Sequence, residues 1–276
     1  MTPALTYVYC LVKRPRRPSL RTAPPGIGGG EVRALDAGDG VWLIVTTVPE
    51  SAYGEAALAL GLQNLDWVGR QAITHETIVE RFLTAPAVLP MQLFTLFTSD
   101  ERALQHVRRD RRRINTILTR LERQVEWGLR LTLDEKAPPS PRPRAGGRRA
   151  LDQAERSRRT AADGRVGTAY LAHKREQLDV VRTRLADATA DADRLYRTVA
   201  RAATAAVRRA ATEAVPGSRL VLDAAFLVPR QRAAAFRALV RRHGRPLSAA
   251  GLAVSLTGPW PPYNFIDSRA RTARRG

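Results

Sequence analysis

From Gly164 to about Ala214 the chain contains no proline, and no glycine beyond Gly167. No other stretch leaves the backbone so few options. With nothing to interrupt it and with many alanines, the best helix formers, this stretch predicts one long helix over about 165–214. Leu171, Leu178, Val181, Leu185, Ala188, Ala192, Leu195, Val199, Ala202 and Ala206 follow heptad spacing, which suits a helical hairpin or a coiled-coil contact. Such a face packs either onto its own domain or onto a partner. For a partner, Leu171, Leu178, Leu185 and Leu195 are the candidate contacts.

The flanks of this segment read differently. Upstream, "QVEWGLRLTLD" alternates Val125, Trp127, Leu129, Leu131 and Leu133 with Glu126, Arg130 and Thr132, the period of a strand with one buried face. Between strand and helix lies a Pro-, Gly- and Arg-rich insert, 135–164, with too few large apolar residues to repay the entropy of folding. Downstream, "VPGSR" breaks the helix and "LVLDAAFLV" makes a strand. Pro229 then opens a helix that Gly244 is expected to end, and "GLAVSLTGPW" is the last strand.

Towards the N-terminus, "LTYVYCLV" is a strand of apolar and aromatic β-formers, and "EVRALDAG" and "GVWLIVTTV" form a hairpin about Asp39 and Gly40. In "LDWVGRQAITHETIVERFL" the apolar Leu65, Val68, Ala72, Ile78, Phe82 and Leu83 recur at helical spacing. "VLPMQLFTLFTS" returns to a strand. Ser99 and Asp100 offer N-cap chemistry to a helix over 100–123 that is broken only at Arg111.

From Leu89 onward the order is strand, helix, strand, long inserted helix, strand, helix, strand. Without the insert this is a twice-repeated split βαβ unit. The expectation is an α+β protein: a small N-terminal α+β domain (1–87), then a modified ferredoxin-like domain (88–267) with a long inserted helical segment, and a basic tail (268–276).

The formal net charge of +20 raises nucleic acid as a partner. However, the basic excess collects in loop-like runs, and Lys13, Lys136 and Lys174 are the only lysines. RNA-recognition domains share the ferredoxin-like order and place stacking aromatics on their first and third strands. Here Phe94 and Phe97 stand on one of those strands but only Phe226 on the other, so a basic RNA-binding module is the alternative reading. Cys10, the single cysteine, excludes an internal disulfide and reads as a buried thiol in a reducing, cytoplasmic setting. No apolar run of about 20 residues is present to span a bilayer.

Catalytic signatures are missing. His75 and Glu76 lack a second histidine four residues on, Val79 standing there. The four histidines read as surface residues, and Asp66, Glu76 and Glu80 as a solvated acidic face. "GIGGGEV" lacks the Lys and Ser or Thr of a phosphate loop and reads as a flexible turn.

Specific strings go further. "TYVYCLV", "LDWVGRQAITHETIVE", "AVLPMQLFTLF", "LERQVEWGLRLTLD", "GTAYLAHKREQ", "LVLDAAFLVPRQRAAAFRALV" and "LTGPWPPYNF" occur in this order over nearly the whole chain, which resembles the gas vesicle protein L/F family. The resemblance implies a non-enzymatic accessory protein of gas vesicle assembly, without a cofactor, located in the cytoplasm or on the vesicle. Its implied partners are the small hydrophobic major shell protein and other accessory proteins. Two departures stand out: Gln92 and Phe94 occupy positions where the family tends to have a basic residue and a glycine. In the closing string, Trp260 and Tyr263 are further candidate contacts, although a run that abuts a core strand is expected to pack as the end of the domain.

Overall fold

The computed structural model describes residues 3–134, 166–210 and 217–266, with side chains from residue 173 onward in the second span. The insert 135–164 lies outside the described residues, as do the tail 268–276 and the side chain of Leu171.

Two antiparallel sheets alternate with three helical layers. In the first sheet β1 (Ala4–Lys13) is central. β3 (Val41–Pro49) pairs along one edge, with β2 (Val32–Asp36) outside it. Along its other edge run β4 (Ala87–Pro90) and β5 (Leu96–Phe97). A bulge in β1 between Val8 and Cys10 shifts the register. It explains how Tyr7, Tyr9, Cys10 and Val12 share one core while Val8 and Leu11 enter another. The outer face is covered by α1 (Glu50–Tyr53), α2 (Glu55–Gly61) and chiefly α3 (Leu65–Glu80), whose His75, Ile78 and Val79 are buried.

The inner face packs on α4 (Asp100–Arg109) and α5 (Arg111–Arg120), joined at Asp110 with Ser99 as N-cap. Ala103, Val107, Ile114, Ile117, Leu118 and Leu121 from this pair share a core with Val8, Leu11, Leu43 and Val45 of the first sheet and with Ala225 and Leu227 of the second. The second sheet has the order β7-β8-β6-β9, built from β6 (Gln124–Asp134), β7 (Ala205–Arg208), β8 (Ser218–Pro229) and β9 (Leu252–Trp260). On its far face Val125, Trp127, Leu129, Leu131 and Leu133 meet α6 (Val166–Ala200) and α7 (Ala233–Ala249).

Three sequence expectations change. The strand placed first in the ferredoxin-like domain is instead β4 and β5 of the first sheet, so that sheet continues past residue 87. The open edge of β1 takes both pieces, one on each side of the bulge. The second sheet alone runs strand, helix, strand, strand, helix, strand, the split βαβ order, with the long helix as its first crossover rather than an insertion. That helix ends at Ala200 rather than about 214. Thr204 to Arg209 pair with β8, and those ladder hydrogen bonds outweigh the helix preference of a few alanines. Gly244 does not end α7. It is buried within the helix, and an added Cβ would come 3.2 Å from Val254 of β9, so glycine sets how closely helix and strand approach.

The chain end clasps these layers together. Pro261, Pro262 and Phe265 are buried, and Phe265 enters the shared middle core. The Asn264 backbone N–H and side-chain amide donate to the Glu126 carboxylate at 2.9 and 2.5 Å. Arg120 of α5 donates to the carbonyls of Phe265 and Ile266. Burial raises the Glu126 pKa, and the Asn264 bonds partly oppose that. The expected packed domain end is present and Phe265 anchors it, while Trp260 is 37% exposed.

Phe94, between β4 and β5, takes a left-handed backbone at φ 64°. Its ring stacks on Trp67 at 5.2 Å and 10°, and its N–H donates to the Tyr7 hydroxyl. The stack, worth about 0.5–1.5 kcal/mol, offsets a left-handed strain of about 1–2 kcal/mol.

Phe265→Ala is therefore expected to cost about 3–5 kcal/mol in denaturant unfolding, as a large-to-small change in a filled core; a loss under about 1 kcal/mol would contradict the clasp. At residue 94 we expect Phe94→Ala, which keeps the strain and loses the stack, to be less stable than Phe94→Gly, which loses both. The reverse order of melting temperatures would show that the backbone there is unstrained.

Candidate functional site

The residues with the most chemical character lie inside the protein. His75, expected at the surface, is 3% exposed, and its Nδ1 shares a 2.7 Å hydrogen bond with the Tyr7 hydroxyl. Burial holds its pKa down to about 4, against a weaker opposing contribution from the Met91 backbone. Glu76 is not part of a solvated acidic face either: it accepts a 2.8 Å hydrogen bond from the Tyr263 hydroxyl. Burial pushes the Glu76 carboxyl up, while the Tyr263 bond pulls it down. Burial and the neighbouring Glu76 together hold the Tyr263 phenol far above its ordinary value. The Gly-rich run is a packed turn in which buried Ile27 donates its N–H to Tyr9 Oη at 2.7 Å. Among the described residues no three His, Cys, Asp or Glu side chains are grouped to hold a metal ion.

The aromatic positions weighed for RNA stacking are divided between two sheets. Phe97 lies on β5 of the first sheet and Phe94 in the turn that precedes it. Phe226, on β8, is fully buried between Tyr196 and Phe236. No shared open face presents them to bases.

The predicted partner contacts also separate. On α6 the heptad stripe is divided at Leu185, which packs against the core from its edge. Beyond it Ala188, Ala192, Leu195 and Val199 are buried under β6 and β8, so Leu195, at 3% exposure, is core and not a contact. Before it Leu178 and Val181 are 61% and 57% exposed, with exposed Val180 beside them. The helix passes the sheet edge where Arg184 donates to the carbonyl of Asp134, the last residue of β6. Tyr263 is tied to Glu76 and half-buried, leaving Trp260 as the accessible member of the closing string.

A second apolar surface was not anticipated. Leu60 and Leu62 around the end of α2, and Leu65 and Ile73 on α3, are all more than half exposed. The sequence placed Leu65 on the buried face. At 84% exposure it projects from the first turn of α3, before that helix reaches the sheet. No helix among the described residues is long and apolar enough to cross a membrane.

Because His75 is held neutral in the folded state, protonating it opposes folding. Stability should be complete above about pH 6.5 and fall by on the order of 3 kcal/mol as pH drops towards 4. Unfolding curves of wild type and His75→Gln between pH 7 and 4 should diverge in the wild type's disfavour. Parallel curves would mean that the imidazole titrates freely.

A family model described as gas vesicle synthesis protein GvpL/GvpF matches residues 5–267. Gas vesicle protein L of Streptomyces sp. (strain CB03234) is 32% identical over 271 residues, covering 96% of this chain and 93% of that protein. Crystal structures of GvpF share the fold at low identity. The Anabaena sp. PCC7120 protein superposes with a TM-score of 0.66 at 15% identity, over 96% of each chain. That of Microcystis aeruginosa gives 0.61 at 16% identity, over 96% of this chain and 100% of its own. The chain belongs to the GvpL/GvpF family of gas vesicle synthesis proteins.

Proposed function

We propose that this protein is a non-enzymatic accessory factor of gas vesicle assembly, acting in the cytoplasm or on the nascent vesicle. It binds the major hydrophobic shell protein and other accessory proteins as the vesicle forms. The observation that carries this reading, beyond family membership, is the pair of exposed apolar surfaces on separate helices: Leu178, Val180 and Val181 on α6, and Leu60, Leu62, Leu65 and Ile73 on α2 and α3. Exposed apolar clusters of this kind mark protein contacts. A subunit that will line a gas-filled shell must keep apolar surface covered until it polymerises, and an apolar helix or strand edge on an accessory protein supplies that cover. The interior His75, Glu76 and Tyr263 are engaged with one another or with the fold, which supports a structural role for them.

The purified protein should retain its own shell protein in a pull-down at low and at high salt, with total RNA as competitor. Apolar contacts survive salt, whereas phosphate contacts weaken steeply and log-linearly with it. Loss of the shell protein at high salt, with salt-sensitive capture of RNA in its place, would overturn the proposal in favour of nucleic-acid binding.

A further inference from the structure

The projecting half of α6 carries more than exposed apolar side chains, because its charges are sorted by heptad position. With Leu178 and Leu185 at a and Val181 at d, the flanking e positions are Arg175 and Arg182, and Arg184 stands at g. Lys174 occupies the d position one heptad before Val181. The acids of this half, Glu176 and Asp179, fall at the outward f and b positions. Among the described residues neither Arg175 nor Arg182 forms an ion pair, and both are exposed. The neighbouring α7 strengthens the bias. It has no acidic residue, and Arg241, Arg242 and Arg245 on it are exposed.

Residues at e and g set partner choice and orientation in helix pairing. A second copy of this chain docked antiparallel would bring arginine against arginine at the e positions, and one docked parallel would set Arg182 against Gln177, so neither arrangement gives these arginines an acid. The arginine-rich segment 135–165 that precedes α6 is no better matched. An apolar seam with cationic flanks fits an amphipathic helix whose own apolar stripe is flanked by Asp or Glu. We infer that α6, from about residue 174 to 184, is the docking rail for one acid-flanked amphipathic helix of a partner protein and is built against self-pairing. This rests on the proposed assembly role and specifies the partner's chemistry.

The test uses the full chain and two synthetic heptad peptides with leucine at a and d, one carrying Glu and the other Lys at e and g. Fluorescence anisotropy should give an affinity for the Glu peptide about tenfold or more above that for the Lys peptide, as two complementary pairs imply. The preference should shrink as salt rises. Arg175→Glu combined with Arg182→Glu should reverse it, and Val181→Asp should abolish binding of both peptides without moving the melting temperature. Equal affinities, or a preference untouched by charge reversal, would overturn the inference. So would a wild-type dimer in light scattering that Val181→Asp dissociates, because the occupant would then be a second copy. If Val181→Asp binds the Glu peptide as tightly as the wild type while the shell protein is still captured at high salt, the rail is refuted and the assembly role stands.

Discussion

Everything in this molecule hangs on the α4–α5 pair, which is apolar towards two sheets at once. Ala103, Val107, Ile114, Ile117, Leu118 and Leu121 fill one continuous core with inward residues from both sheets. A helix pair with one buried stripe covers a single sheet; this pair is enclosed between two. The layers are therefore joined by burial and not by a linker. Polar ties reinforce the junction: Arg230 reaches the carbonyls of Thr84 and Ala85, and the N–H of Arg123 donates to the carbonyl of Pro86. The closing string then crosses the same region, joining α3 through Tyr263, α5 through Arg120 and β6 through Asn264.

A body fixed in this way holds its exposed apolar helix surfaces on a rigid frame. About half of α6 is core, and its other half extends past the end of β6. The helix, 35 residues long, spans roughly 50 Å, and β6, with 11 residues, roughly 36 Å. The mismatch in length leaves Leu178 and Val181 uncovered while Leu195 is buried, although all belong to one heptad stripe. The exposed apolar side chains and the arginines beside them lie on the same turns of the helix.

Much of this was legible in the sequence where local period and local chemistry coincide. The alternation in β6, the hairpin about Asp39 and Gly40, the Ser99 cap and the packed closing string all reappear. Partnership between elements was less legible. The apolar run at 87–97 announces a strand but not that a bulge in β1 will receive it in two pieces. Heptad spacing marks a helical face but not where the sheet beneath it stops, which separates Leu178 from Leu195. His75 looked like a surface histidine because its partner, Tyr7, is distant in sequence and meets it only through tertiary packing. Alanines at 205 and 206 favour helix locally, and the free edge of β8 overrules them. The left-handed backbone at Phe94 has no local signal, because phenylalanine gives no hint of a positive φ. The aromatic stack that offsets its strain emerges only in the fold.

The most direct test of the central claim, that an apolar helix projecting from a rigid layered body meets the partner, is hydrogen–deuterium exchange of the full chain with and without its shell protein. Alone, amides of 174–184 should exchange far faster than those of 188–200, and adding the shell protein should slow the first group and leave the second unchanged. Protection that appears only along the β9 edge or over the α2–α3 surface, with 174–184 unaltered, would contradict the account.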